Sequence, residues 1–115
     1  LYFRNWVDGP MKDETLKGAH GASTDGVLSE YLVIDDTAIA PAPAGLGDAE
    51  AAALPTAGLT SWTALNAGGP IAPGDVVLVQ GTGGVSTFAL QFAAAAGAKV
   101  IVTSSSDEKI ARARA

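Results

Sequence analysis

The residues whose types and spacing could do chemistry are Gly81-Thr82-Gly83-Gly84-Val85-Ser86, a Gly-x-Gly-x-x-small string. Such a string suits a ligand that carries phosphate. Its first glycine permits a tight turn off a strand, and its second lets the backbone approach a pyrophosphate with no Cβ in the way. Ser86 stands where a third glycine or alanine usually packs helix against strand, a mild departure because serine is small. The N–H groups of Gly84, Val85 and Ser86, aided by the helix dipole, would receive the phosphate charge.

Glycine is 14 of 115 residues, so the string alone is a weak signal and its setting carries the reading. Pro73-Gly74-Asp75 makes a turn, and Val76-Val77-Leu78-Val79 is the continuous apolar run expected of a parallel strand buried on both faces. After the string, Val85, Phe88, Ala89, Phe92 and Ala96 fall on one helical face, and Gly97 supplies a left-handed C-terminal stop. Val100-Ile101-Val102-Thr103 reads as a second buried strand. Ser105-Ser106-Asp107-Glu108 has the spacing of a capping box and opens a last helix through Ile110 to Ala115. Together these form one β-α-β unit of the kind that binds a dinucleotide. A glycine turn with a structural role only is the alternative. A phosphate loop of the other kind fails because no Gly-Lys-Ser/Thr follows. A methyltransferase needs acidic residues near the ends of the two strands, where Gln80 and Ser104 stand instead.

The position ending the second strand, about twenty residues beyond the turn, selects the cofactor. An acidic side chain there holds a ribose 2′-hydroxyl and repels a 2′-phosphate. This chain offers Thr103-Ser104-Ser105-Ser106, with Lys109 one turn into the helix. Hydroxyls and an ammonium suit a phosphate, which favours NADP over NAD; a polar loop with a solvated lysine is the bland alternative.

The elements that must position this string sit in a chain of 115 residues, 48% hydrophobic and 17% charged, which excludes intrinsic disorder for most of its length. A net charge of -5 gives no basic field for nucleic acid or anionic lipid. The apolar runs fall short of the ~20 residues that cross a bilayer, so neither nucleic acid nor membrane is an expected partner. The lack of cysteine removes disulfides, thiol catalysis, zinc ribbons and iron-sulfur clusters, and fits a cytoplasmic address. The opening Leu1-Tyr2-Phe3 has no initiator methionine and no signal-peptide order, and the chain reads as a piece of something longer. Residues 1–70 hold three basic and nine acidic side chains, residues 71–115 four and three, and the boundary is placed near Gly68-Gly69-Pro70.

In the first part, Gly26 to Ile34 is rich in β-branched, aromatic and aliphatic residues and is expected to be a strand. Pro41 and Pro43 make Ala40 to Gly45 an extended connection. Asp48 is expected to cap a helical turn over Ala49 to Leu54, which Pro55 interrupts, and a second helix spans Gly58 to Asn66. His20, the one histidine, reads as an ordinary loop residue rather than a ligand or proton relay, and Asp35-Asp36 as a solvated turn rather than an acid-base pair.

The stretches Ala52-Ala53-Leu54-Pro55-Thr56-Ala57-Gly58-Leu59-Thr60-Ser61-Trp62-Thr63-Ala64-Leu65 and Pro73 to Ser86 strongly resemble the medium-chain dehydrogenase/reductase superfamily. The match is nearest to its zinc-independent alcohol dehydrogenase and quinone oxidoreductase-like members. It extends to Gly26-Val27-Leu28-Ser29-Glu30-Tyr31 and to Thr103 through Lys109. The resemblance implies an α/β fold: a partial Rossmann domain, its first β-α-β unit at 71–115, preceded by the C-terminal part of a β-rich GroES-like catalytic domain with connecting helices at 1–70. It implies an active site in the cleft between such domains.

Where zinc-dependent relatives carry a metal-binding cysteine, this chain has Thr56, a poor zinc ligand beside thiolate or imidazole. By the same resemblance Thr60 sits beside the nicotinamide ring and helps orient it, or else packs its helix. Trp62 either walls the pocket or belongs to the core. The expected cofactor-binding set is thus Thr60, Gly81, Gly83, Gly84, Val85, Ser86, Ser104, Ser105 and Lys109, with no catalytic acid identified. The implied activity is NADP(H)-dependent hydride transfer to a small-molecule carbonyl, alcohol, conjugated enone or quinone, without zinc, with a homo-oligomeric full-length form as one expectation. The alternatives are a truncated, non-catalytic dinucleotide-binding fragment and an enoyl-reductase module of a larger synthase.

Overall fold

The computed structural model describes residues 9–13 and 17–114, so the expected end of the last helix at Ala115 lies outside the described residues. These residues fall into two compact units that divide between Gly45 and Leu46.

The first unit is built on turns. The carbonyl of Ala19, itself buried, accepts from the backbone N–H groups of Ala22, Ser23 and Thr24. The strand expected over Gly26 to Ile34 does not form: that segment is irregular, with bends at Val27, Ser29 and Glu30, and Leu28, Tyr31 and Val33 are almost fully exposed. A strand has no hydrogen bonds of its own and exists only against a neighbour. Among the described residues none pairs with this segment, so β-propensity alone cannot hold it. A short 3-10 turn, Asp36–Ala38, follows.

The second unit opens with helix α1, Asp48–Ala53. Its cap is Gly47 rather than Asp48. The Glu50 carboxylate accepts from the Gly47 N–H at 2.8 Å, and Asp48 becomes the first helical residue, where its charge suits the helix N-terminus. Pro55 does not interrupt the helix as expected. The backbone stays right-handed through a wide π-type turn, Leu54–Gly58, and runs on into α2, Leu59–Asn66. Proline forbids one backbone donor and crowds the preceding turn. Widening the turn, so that the Leu59 N–H reaches back to the Leu54 carbonyl, accommodates the ring without ending the helix.

Asp75 closes the turn at Pro73-Gly74 by accepting from the Ala72 N–H at 2.8 Å. Strand β1, Val76–Gln80, then pairs in parallel with β2, Lys99–Thr103, in the register Val76 opposite Lys99 to Gln80 opposite Thr103. Helix α3, Gly84–Ala95, is the crossover. Gly97, at φ +80°, ends it: the N–H groups of Gly97 and Ala98 reach the carbonyls of Ala94 and Ala93, the paired bonds of a Schellman stop. Helix α4, Asp107–Arg114, follows β2. Its cap is Ser106, whose Oγ accepts from the Lys109 N–H at 3.3 Å. The expected box from Ser105 to Glu108 is therefore displaced by one residue, and a lysine at its third position cannot complete the reciprocal bond.

Neither strand is buried on both faces. Val79 is buried and Val77, Val100 and Val102 are half-buried, whereas Val76, Leu78 and Ile101 remain exposed. A parallel sheet is covered twice only when helices lie on both sides. The helical face also differs from expectation: its centre is the fully buried Ala93, and Val85 is 43% exposed. Phe92 anchors the packing, with Trp62 of α2 edge-on at 5.8 Å and Phe88 stacked at 5.7 Å. The wide turn and α2 both pack on α3, so the helices expected to go with residues 1–70 join the β-α-β unit structurally. No described helix is long and apolar enough to cross a membrane.

Candidate functional site

The glycine string folds into the turn its spacing predicts. Gly81 adopts φ +83°, a conformation that L side chains rarely take, and its N–H donates to the Thr103 carbonyl at 2.8 Å. Gly83 precedes α3 in an extended conformation. A Cβ built at Gly81 or Gly83 meets no protein atom within 4 Å, so the space beside this backbone is open. At Gly84 a Cβ would come within 3.4 Å of the Ala57 Cβ, which marks the close approach of the wide turn to α3.

The first backbone bond of α3 runs from the Thr87 N–H to the Gly83 carbonyl at 2.9 Å. Gly84, Val85 and Ser86 precede it, so their N–H groups lie at the electropositive helix end. Ser86 Oγ donates to the Gln80 carbonyl at 2.9 Å, and Thr87 Oγ1 lies 2.9 Å from the Gly84 carbonyl. Five of the predicted residues, Gly81, Gly83, Gly84, Val85 and Ser86, therefore share one turn.

Beside it lies an open cavity of about 240 Å³, lined by Thr82, Thr87, Lys109, Arg112 and Ala113. Lys109 lines it together with Thr82 of the glycine turn. Ser104 and Ser105 do not line this cavity; Ser104 Oγ instead accepts from the Ser106 N–H at 3.3 Å. Arg112 was missed by the sequence reading, although its spacing of three from Lys109 puts both cations on one side of α4. Thr60 is exposed on α2, next to Ser61, which is fully buried. Ser61 Oγ lies 2.9 Å from the Ala57 carbonyl and 2.5 Å from that of Val85, joining α2 to the first turn of α3. Trp62 is half-exposed rather than walled into a core.

In the other unit His20 Nδ1 lies 3.3 Å from the Asp25 carbonyl, inside a turn. Asp36 begins the 3-10 turn. Among the described residues no three of His, Cys, Asp or Glu are grouped to hold a metal ion.

A zinc-type alcohol dehydrogenase-like protein of Schizosaccharomyces pombe is 49% identical over 111 residues, 95% of this chain and 32% of that protein. The solved structure described as an alcohol dehydrogenase from Sinorhizobium meliloti 1021 superposes with a TM-score of 0.85 at 49% identity, over 98% of this chain and 34% of that one. The chain belongs to the medium-chain dehydrogenase/reductase superfamily. It spans about a third of the length of these relatives. Within the superfamily, the quinone oxidoreductase of Thermus thermophilus, solved also in complex with NADPH, matches at 42% identity and a TM-score of 0.58, over 64% of this chain and 25% of that one. A phthioceranic/hydroxyphthioceranic acid synthase of Mycobacterium bovis is 38% identical over 104 residues, 88% of this chain and 5% of that protein. No protein-family model matches the chain.

Proposed function

We propose that this chain carries the dinucleotide site of an NADP(H)-dependent oxidoreductase that passes a hydride between nicotinamide and a carbonyl, alcohol, conjugated enone or quinone. The observation that carries the reading is the open glycine turn at the N-terminus of α3, with a two-cation cavity beside it. The residues fit the group: Gly83 leaves room for a pyrophosphate, and the N–H groups of Gly84, Val85 and Ser86 supply donors. Lys109 and Arg112 supply the charge for a 2′-phosphate, with the hydroxyls of Ser104 and Ser105 at the strand end. Thr60 orients the nicotinamide end. When bound, the nicotinamide supplies or accepts the hydride. The protein's part is to hold the cofactor in one geometry.

The segment offers zinc no thiolate, with Thr56 where zinc-dependent relatives carry a cysteine, which supports metal-free chemistry. Residues 1–70 are read as the tail of a GroES-like catalytic domain with its connecting helices, and 71–115 as the start of the Rossmann domain. The match to a synthase favours a second reading, a reductase module within a larger synthase, which the flanking reading frame distinguishes.

Titration of the full-length protein with NADPH and NADH tests the cofactor assignment. NADPH binds tighter, and Ser104→Asp reverses the order, because a carboxylate there repels a 2′-phosphate and accepts from a 2′-hydroxyl. Equal affinities before and after the substitution overturn the assignment.

A further inference from the structure

We infer that Ser61 is a positioning residue for the dinucleotide, one that strengthens a phosphate-facing donor and fixes its place relative to Thr60. The inference rests on the proposed function. Ser61 is fully buried, and its hydroxyl has a single proton for the two carbonyls within reach, those of Ala57 and Val85. The shorter contact is to Val85, 24 residues away in sequence.

That carbonyl belongs to the same peptide group as the N–H of Ser86, one of the three donors at the start of α3. A hydrogen bond accepted at the oxygen of a peptide polarises it and makes its N–H a better donor. Ser61 thereby acts on the phosphate-facing side of α3 from the opposite side, without touching a ligand. The contact is also a spatial link. Ser61 is the neighbour of Thr60 on α2, so the bond ties the segment assigned to the nicotinamide end to the turn assigned to the pyrophosphate. The 3.4 Å approach of a Gly84 Cβ position to the Ala57 Cβ shows that the two segments meet closely at this point. Ser61 is fully buried, and alanine fits the site but drops the donor.

The test is the full-length protein with Ser61→Ala, compared with wild type for binding of NADPH and of adenosine 2′-monophosphate. The second probe keeps the 2′-phosphate but has neither phosphate of the pyrophosphate and no nicotinamide. The expected result is an NADPH affinity weaker by roughly 1.5–4-fold, the scale of an about 10–30% weakening of one charge-assisted hydrogen bond to phosphate, with the monophosphate affinity unchanged. Ser61→Cys, which keeps the shape and a weak donor, falls between the two. It also replaces the alanine variant if that protein does not fold. An unchanged NADPH affinity, or an equal loss for both probes, overturns the role of Ser61 while leaving the proposed function in place. A wild-type protein that binds neither NADPH nor NADH overturns both.

Discussion

Ser86 Oγ donates to the carbonyl oxygen of Gln80 across 2.9 Å, joining the end of β1 to the first turn of α3. The bond closes the glycine turn upon itself, and it explains how serine serves where a smaller residue is usual: the hydroxyl engages the strand end. Ser86→Ala retains a side chain small enough for the packing and removes the bond. Denaturant unfolding of the full-length protein is expected to show a loss of about 0.5–1.5 kcal/mol. A carbonyl left without this partner but open to solvent keeps the loss at the low end of that range.

Gly81 and Gly83 belong to one motif and are expected to fail in different ways. Gly81 stands at φ +83°, so Gly81→Ala places a Cβ in a left-handed conformation and costs roughly 1–2 kcal/mol of stability. Gly83 has an ordinary negative φ, and a Cβ there meets no protein atom. Gly83→Ala is therefore expected to leave the unfolding midpoint in place while, under the proposed function, weakening NADPH binding by about tenfold or more, since a methyl group there would oppose the approach of a pyrophosphate. Paired thermal melts and NADPH titrations separate the two variants. A stability loss at Gly83 equal to that at Gly81 contradicts the assignment of open space beside it.

Much of the β-α-β unit is legible in the sequence because its signals are local. The apolar runs at Val76 and Val100, the turn at Gly81 and the stop at Gly97 each depend on residues within a few positions. The segment Gly26 to Ile34 has equally strong strand propensity, but a strand depends on a partner that no local pattern supplies, and here it stays irregular. Pro55 misleads for a different reason: the rule that proline ends helices assumes ordinary turn width, and the π-type turn relaxes it. Which side of α3 turns inward is decided by Ala57, Ser61 and Trp62 packing from another helix, so periodicity alone set Val85 too deep and passed over Ala93. The cation pair was half legible, because Lys109 was drawn in by its place after β2 while Arg112 gained meaning only beside Thr82 and Thr87.

Gly97 holds the crossover tight. It stands at φ +80°, and a Cβ there would lie 3.3 Å from the Pro73 Cβ. Gly97→Ala thus combines a strained backbone with crowding against the turn that leads into β1. The expected cost is roughly 1–2 kcal/mol for the backbone alone, with more if Pro73 cannot yield. The Gly74 N–H to Gly97 carbonyl bond, 3.1 Å long, ties these same two turns together, so hydrogen exchange at Gly74 is expected to quicken in the variant. Unchanged exchange with an unchanged melting midpoint contradicts this account of the stop.

Lys109 and Arg112 line one cavity with Thr82 and Thr87, and the two cations have a phosphate-sized task if the cofactor is NADP(H). Arg112→Ala removes a guanidinium able to grip a phosphate in two places while leaving the Gly-rich turn intact. NADPH affinity in the full-length protein is expected to fall roughly 3–10-fold, below the full value of a charged hydrogen bond because both side chains are exposed and screened. NADH, which has no 2′-phosphate, is expected to bind both proteins alike. Raising the ionic strength from about 0.01 to 1 M shortens the screening length from roughly 30 to 3 Å and should narrow the difference between the two NADPH titrations. The alternative, a solvated pair of surface cations, predicts parallel and unchanged titrations for both cofactors, so the comparison decides between a phosphate site and an ordinary charged helix face.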